Sequence, residues 1–256
     1  MEQIKTNFPG DVFGKNPKAA LVEYLQYELL DSIFQQNESE KLSFIGGTAI
    51  RIVYGSSRFS EDLDFDNFGL TFDGFKTLLD KTAKTMELKG FEIEFRFVEK
   101  EAYHCYIKFP DLLFKHGISG QKGEKILVRI DATLKRELVK PEIYILNNFD
   151  VYRKILVNSI SVILAQKLIA IMERKREKGR DFYDVSYLLG KTEPDYVFLE
   201  KAHGYSEKQI KKQLFSKVET LDFDALAKDV QPFLMNPSDI ERVTGFKDYI
   251  LQKLGG

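Results

Sequence analysis

Tryptophan is absent from these 256 residues, cysteine occurs once and histidine three times. A lone Cys105 excludes an internal disulfide, and the three histidines stand far apart with none of the spacings of a zinc site. Long apolar runs are missing too: no stretch approaches the roughly 18–20 apolar residues of a membrane helix. The opening MEQIKTNFPG lacks the basic and then apolar segments of a secretory signal. The expectation is a cytoplasmic protein with no membrane partner. Charge of one sign is also scarce, since 38 Lys plus Arg nearly balance 39 Asp plus Glu; a polyanionic partner must be drawn by a local patch rather than a global field. Without tryptophan there is no evident base-stacking platform, and most of the 21 phenylalanines read as core.

Hydrophobic residues make up 43% and charged residues 30%, the proportions of an ordinary compact protein, and the length suits two modest domains. PKAALVEYLQYELLDSIFQQ (17–36) spaces its apolar residues as an amphipathic helix after Pro17. LSFIG (42–46) reads as a short strand running into Gly46-Gly47, with a helix started by Thr48 and closed at Gly55. DLDFDNF (62–68) alternates acidic and apolar residues as a strand does, and 74–89 reads as a helix. FEIEFRFVEK, AYHCYIKF and ILVRIDATL (126–134) are further strand candidates. From Ser161 onward helical periodicity dominates. The fold expected is α+β: a domain with a mixed sheet over 1–157, then a mainly helical domain over 158–256.

Asp62 and Asp64 are two apart, so on a strand both carboxylates leave one face, about 6–7 Å apart along the backbone. Two such anions can share a metal, and hard oxygen ligands without Cys or His favour Mg²⁺ or Mn²⁺. A third carboxylate on an adjacent strand would complete the site. Asp131 in LVRIDA is the candidate, because a charge among apolar strand neighbours is costly unless compensated. Asp66 extends the same alternation and supports the competing reading of a solvated acidic face. Gly46-Gly47-Thr48 could cradle phosphates on bare backbone N–H groups, or be only a tight turn.

In the helical half, Lys167 and Arg174 are seven apart, so on one helix they would share a face about 10 Å apart and could contact two phosphates. Six basic residues stand against two acidic ones from Lys167 to Arg180, although a solvated face explains any single one of them. Asp181, behind Gly179-Arg180, could cap a second helix or complement its amino-terminal dipole. KQIKKQ (208–213) could contact RNA or be merely solvated.

IGGTAIRIVYG, RFSEDLDFD and KLIAIMERKREKGRDFYDVSYLL, in that order, resemble the AbiEii/AbiGii-type toxin nucleotidyltransferases of the polymerase-β-like superfamily. The resemblance covers 44–66 and 164–189 closely and the region between more loosely. It implies that Gly46, Gly47 and Thr48 form the phosphate loop, and that Asp62 and Asp64 bind the metal. It also implies that Lys167, Arg174, Arg180 and Asp181 belong to a basic and acidic nucleotide-binding motif. Superfamily members commonly carry Gly-Ser where this chain has Gly47-Thr48, which keeps the hydroxyl. A cognate antitoxin is implied, and so is an RNA acceptor such as the tRNA 3′ end.

The mechanism expected is in-line attack of an acceptor hydroxyl on the α-phosphate of an NTP. Asp62, Asp64 and Asp131 hold metal, Asp131 also helps to activate the hydroxyl, and Lys167 and Arg174 neutralise the phosphates. Three rivals stand beside it. DLDFD could be a phosphohydrolase nucleophile motif, though that motif normally follows the first strand of a doubly wound domain. The fold could be a silent nucleotide- or RNA-binding module. The acceptor could instead be a protein or a small molecule.

Overall fold

The computed structural model describes residues 2–8, 11–136 and 139–255. The chain divides into two compact units. Met1–Ala49, Phe59–Lys135 and Pro141–Val157 form the first; Ile50–Arg58, Arg136–Lys140 and Asn158–Gly256 form the second. The second unit thus takes in two short segments from the amino-terminal part that periodicity alone did not separate.

The first unit is α+β. Its strands are β1 (Leu42–Ile45), β2 (Leu63–Asn67), β3 (Glu94–Glu99), β4 (Tyr103–Phe109), β5 (Ile126–Leu134), β6 (Glu142–Asn148) and β7 (Val151–Val157). They form one mixed sheet in the order β3-β4-β5-β2-β1-β7-β6, with β2 parallel to β5, β1 parallel to β7 and the other neighbours antiparallel. The helices are α1 (Glu2–Thr6), α2 (Val12–Lys15), α3 (Pro17–Phe34), α4 (Gly46–Ile52), α5 (Phe72–Leu88) and α6 (Leu112–Lys115); α4 runs from the first unit into the second.

Pro17 at the first turn suits the start of α3, because its missing N–H would be unpaired there anyway. Leu21, Leu25, Leu29 and Ile33, four apart, line its fully buried stripe. Each such side chain contributes about 1.5–3 kcal/mol on burial. Thr71 caps α5 by accepting from the Gly74 N–H, and Phe75, Leu78, Leu79 and Met86 bury its inner face. β7 was not foreseen. It joins β6 through Phe149-Asp150, both at positive φ (52° and 63°), a turn normally signalled by Asn-Gly.

The second unit is helical: α7 (Ile160–Glu173), α8 (Gly179–Leu189), α9 (Tyr196–His203), α10 (Glu207–Val218), α11 (Phe223–Val230), α12 (Glu241–Thr244) and α13 (Phe246–Leu254). The core gathers on α8, where Phe182 meets Phe246 and Phe223 edge-on at 5.1 and 5.8 Å. α11 approaches α8 so closely that a Cβ on Gly179 would lie 1.9 Å from the Leu226 carbonyl oxygen. Among the described residues no helix is long and apolar enough to cross a membrane.

Candidate active site

α4 begins at Gly46, not at Thr48, and the reason is local. Gly46 has φ of 78°, and a Cβ there would fall 2.3 Å from Asp64 Oδ2. Only glycine accepts that conformation while letting the Asp64 carboxylate lie against the backbone. Thr48 is fully buried, and its hydroxyl donates to the Asp62 carbonyl oxygen at 2.5 Å. The glycine turn is thereby fastened to the residue that precedes β2.

Alternation along β2 and β5 turns Leu63, Phe65, Ile130 and Ala132 into the core. The opposite face carries the charges. Asp64 stands in register beside Asp131 on the parallel pair β2–β5, and His104 stands in register with Asp131 on the antiparallel pair β4–β5. Asp62 Oδ2 accepts from Arg129 Nη2 at 2.8 Å, and Arg129 Nε lies 3.0 Å from Asp131 Oδ2. His104 Nδ1 is 2.7 Å from Asp131 Oδ1; an ionised carboxylate only accepts, so the imidazole donates from Nδ1. Burial works against the charge on Arg129, but Asp62, then Asp131 and Asp64, outweigh it and raise its pKa. Asp66 is 2% exposed, so the acidic face is not a solvated one there.

The donor set fits a hard divalent cation. Asp62 and Asp131 both contact one guanidinium and Asp64 adds to the field around it, so negative charge gathers where a divalent cation could share it. Among the described residues no group of three or more His, Cys, Asp or Glu forms a ready-made metal cage. Mg²⁺ commonly binds through one or two carboxylates plus substrate phosphates rather than in an all-protein cage.

In the second unit a separate charged cluster surrounds α8. Arg58 grips Asp184 with a two-pronged fork, Nε to Oδ1 and Nη2 to Oδ2, both 2.6 Å, with both residues buried. Lys167 Nζ reaches Asp181 Oδ1 and Asp184 Oδ2, each at 2.9 Å, and Arg174 Nη1 reaches Asp181 Oδ2 at 2.5 Å. Burial works to lower the pKa of Lys167, yet Asp181 and then Asp184 overcome it and hold it above the ordinary lysine range.

The structure corrects two expectations. α7 ends at Glu173 and Arg174 is extended, so Lys167 and Arg174 do not share a helix; they converge instead on the Asp181 carboxylate. Asp181 is in the first turn of α8 but caps nothing: the Gly179 N–H donates to Asp229 Oδ2 at 2.8 Å, so the cap comes from α11. Arg180 lies over the Phe233 ring at 4.6 Å.

Four participants had not been singled out. Arg129 is two before Asp131, and strand alternation could have placed it on the same face. Asp184 is three after Asp181, one helical turn on. His104 and Arg58 carry no such local signal, since only strand pairing and burial bring them in.

A search of curated proteins gives no match. Among solved structures the chain is similar to the JHP933 protein of Helicobacter pylori, with a TM-score of 0.57 and 18% identity over 93% of this chain and 94% of that one. A nucleotidyltransferase from H. pylori, described as putative, gives 0.55 and 18% over 90% and 96%. MenT4, a nucleotidyltransferase toxin of Mycobacterium tuberculosis, gives 0.53 and 17% over 91% and 83%. At such identities these likenesses establish the fold. The family model described as nucleotidyl transferase AbiEii toxin, type IV toxin–antitoxin system, matches residues 28–245. Spanning most of the sequence, that match shows that the chain belongs to the AbiEii family of nucleotidyltransferase toxins, a membership that implies an antitoxin partner.

Proposed function

We propose that this toxin transfers a nucleoside monophosphate from an NTP to a hydroxyl of RNA, such as the 3′ end of a tRNA, in the cytoplasm. Asp62, Asp64 and Asp131 would hold Mg²⁺ or Mn²⁺. The reading rests on the in-register placement of Asp64 and Asp131, with Asp62 beside them and Gly46 cleared for close approach. When bound, the divalent ion supplies positive charge to the phosphates.

The chain's own residues do the rest. Backbone N–H groups at 46–48 receive phosphate oxygens, since the Thr48 hydroxyl is already engaged. Asp131, held at Oδ1 by His104, helps to activate the attacking hydroxyl. The new oxygen–phosphorus bond forms as the bond to the bridging oxygen breaks, and pyrophosphate leaves. In the second unit Arg174, 45% exposed, has a face left for an anion, whereas Lys167, 14% exposed, serves by holding Asp181 and Asp184.

The test is to incubate the protein with each labelled NTP, Mg²⁺ and total cellular RNA, beside the Asp62→Ala/Asp64→Ala protein. Label moving to a discrete RNA band with the wild type alone supports the proposal. Label moving to protein or a small molecule discards RNA as acceptor, and no transfer anywhere overturns the reading.

A further inference from the structure

The carboxylate face carries its own cation. Arg129 contacts Asp62 through Nη2 and Asp131 through Nε, and Asp64 adds to the field that keeps it charged. A structural arginine fork would satisfy its N–H groups with aligned acceptors. Arg129 does not: its buried Nε, although 3.0 Å from Asp131 Oδ2, makes no aligned hydrogen bond. The side chain is 38% exposed, so it has room to leave. The contrast lies in the second unit, where Arg58, 2% exposed, holds Asp184 with both prongs aligned.

We propose that Arg129 is the exchangeable counter-ion of the carboxylate site. It compensates Asp62 and Asp131 while no divalent cation is bound, and releases them when one binds. The proposal rests on the reading of Asp62, Asp64 and Asp131 as metal ligands. Its physical basis is competition. Asp62 Oδ2 and Asp131 Oδ2 cannot serve the guanidinium and a metal at full strength together, and two cations in one small space repel. A half-exposed arrangement of this kind is weak enough to give way. An anion-free divalent ion must then displace Arg129 to bind, and the displaced guanidinium becomes available to the anionic substrate.

The experiment is a Mg²⁺ titration of the full chain without nucleotide, read in two ways. Calorimetry gives the affinity of wild type, Arg129→Gln, Arg129→Lys and Asp64→Asn. In parallel, ¹⁵N spectra follow the arginine Nε–H signals, with that of Arg129 assigned by its loss in Arg129→Gln. The expected result is affinity roughly five- to tenfold tighter in Arg129→Gln, since loss of about 1 kcal/mol of competition corresponds to that range. Arg129→Lys should fall between, and the wild-type Arg129 signal should move as Mg²⁺ saturates. Mg²⁺ binding that Asp64→Asn abolishes, but that leaves the Arg129 signal and the Arg129→Gln affinity unchanged, overturns the counter-ion proposal alone. Binding that Asp64→Asn leaves intact, or no saturable binding by any variant, overturns the metal-ligand reading and this proposal with it.

Discussion

Gly46 and Asp64 touch so closely that position 46 has no room for a side chain: its Cβ would stand 2.3 Å from Asp64 Oδ2 and 2.9 Å from Asp64 Cβ. The left-handed backbone of Gly46, at φ of 78°, is what aims β1 into α4 at that point. The same turn therefore opens α4 and fixes one carboxylate.

Gly46→Ala should cost about 1–3 kcal/mol through backbone strain, with the clash added. Displacing Asp64 by even about 1 Å should lower nucleotidyl transfer on the order of 100-fold. Thermal melting and single-turnover label transfer on the same preparation check both. Gly55→Ala, also at positive φ but with only the Tyr187 hydroxyl at 3.6 Å near its Cβ, should lose stability alone.

Asp184→Asn removes the negative charge that partners Arg58 and Lys167 and turns one of the two acceptor oxygens of the buried fork into a donor. Leaving buried charge uncompensated should destabilise the protein by about 3–5 kcal/mol. Urea unfolding of wild type and variant measures this directly, and a loss below about 1 kcal/mol would contradict the role assigned to the cluster.

Acid should weaken the fold through Asp184. Burial raises the Asp184 pKa, but Arg58 and then Lys167 outweigh it and hold it below the ordinary value of 3.8. The unfolded chain then binds the proton first as pH falls. This stabilisation is complete above roughly pH 5 and is lost as pH drops towards the folded-state pKa. Urea unfolding between pH 5 and 3, run for wild type and Asp184→Asn, should show the steeper decline in wild type; parallel slopes would contradict it.

Lys167 and Arg174 should separate in their effects. Lys167→Met leaves Asp181 and Asp184 short of a partner and should lower stability by about 3 kcal/mol. Arg174→Met, at a half-exposed position, should cost less than about 1 kcal/mol. Paired urea-unfolding curves of the two variants tell them apart.

Most of the sheet was legible from alternation. The strand candidate at 126–134 coincides with β5, and Asp62 with Asp64 was readable because DLDFD repeats at period two. β7 escaped because Phe149-Asp150 adopts a turn without its usual residues. His104 and Arg58 escaped because nothing local distinguishes a histidine on a strand, or an arginine in a polar loop, from a solvated one. Arg174 was misplaced on α7 because the lysine- and arginine-rich run 174–178 keeps helical composition past the point where the backbone becomes extended.

The charged face of β2 and β5 is the proposed seat of the chemistry. The most direct measurement compares kcat for NTP-dependent transfer to total RNA by wild type and Asp64→Asn, with circular dichroism and melting temperature showing that both are folded. Asn keeps the shape beside Gly46 and removes the charge, so the account predicts loss of transfer by at least about 1,000-fold, or roughly 4 kcal/mol. A folded Asp64→Asn protein that transfers nucleotide at the wild-type rate would contradict it.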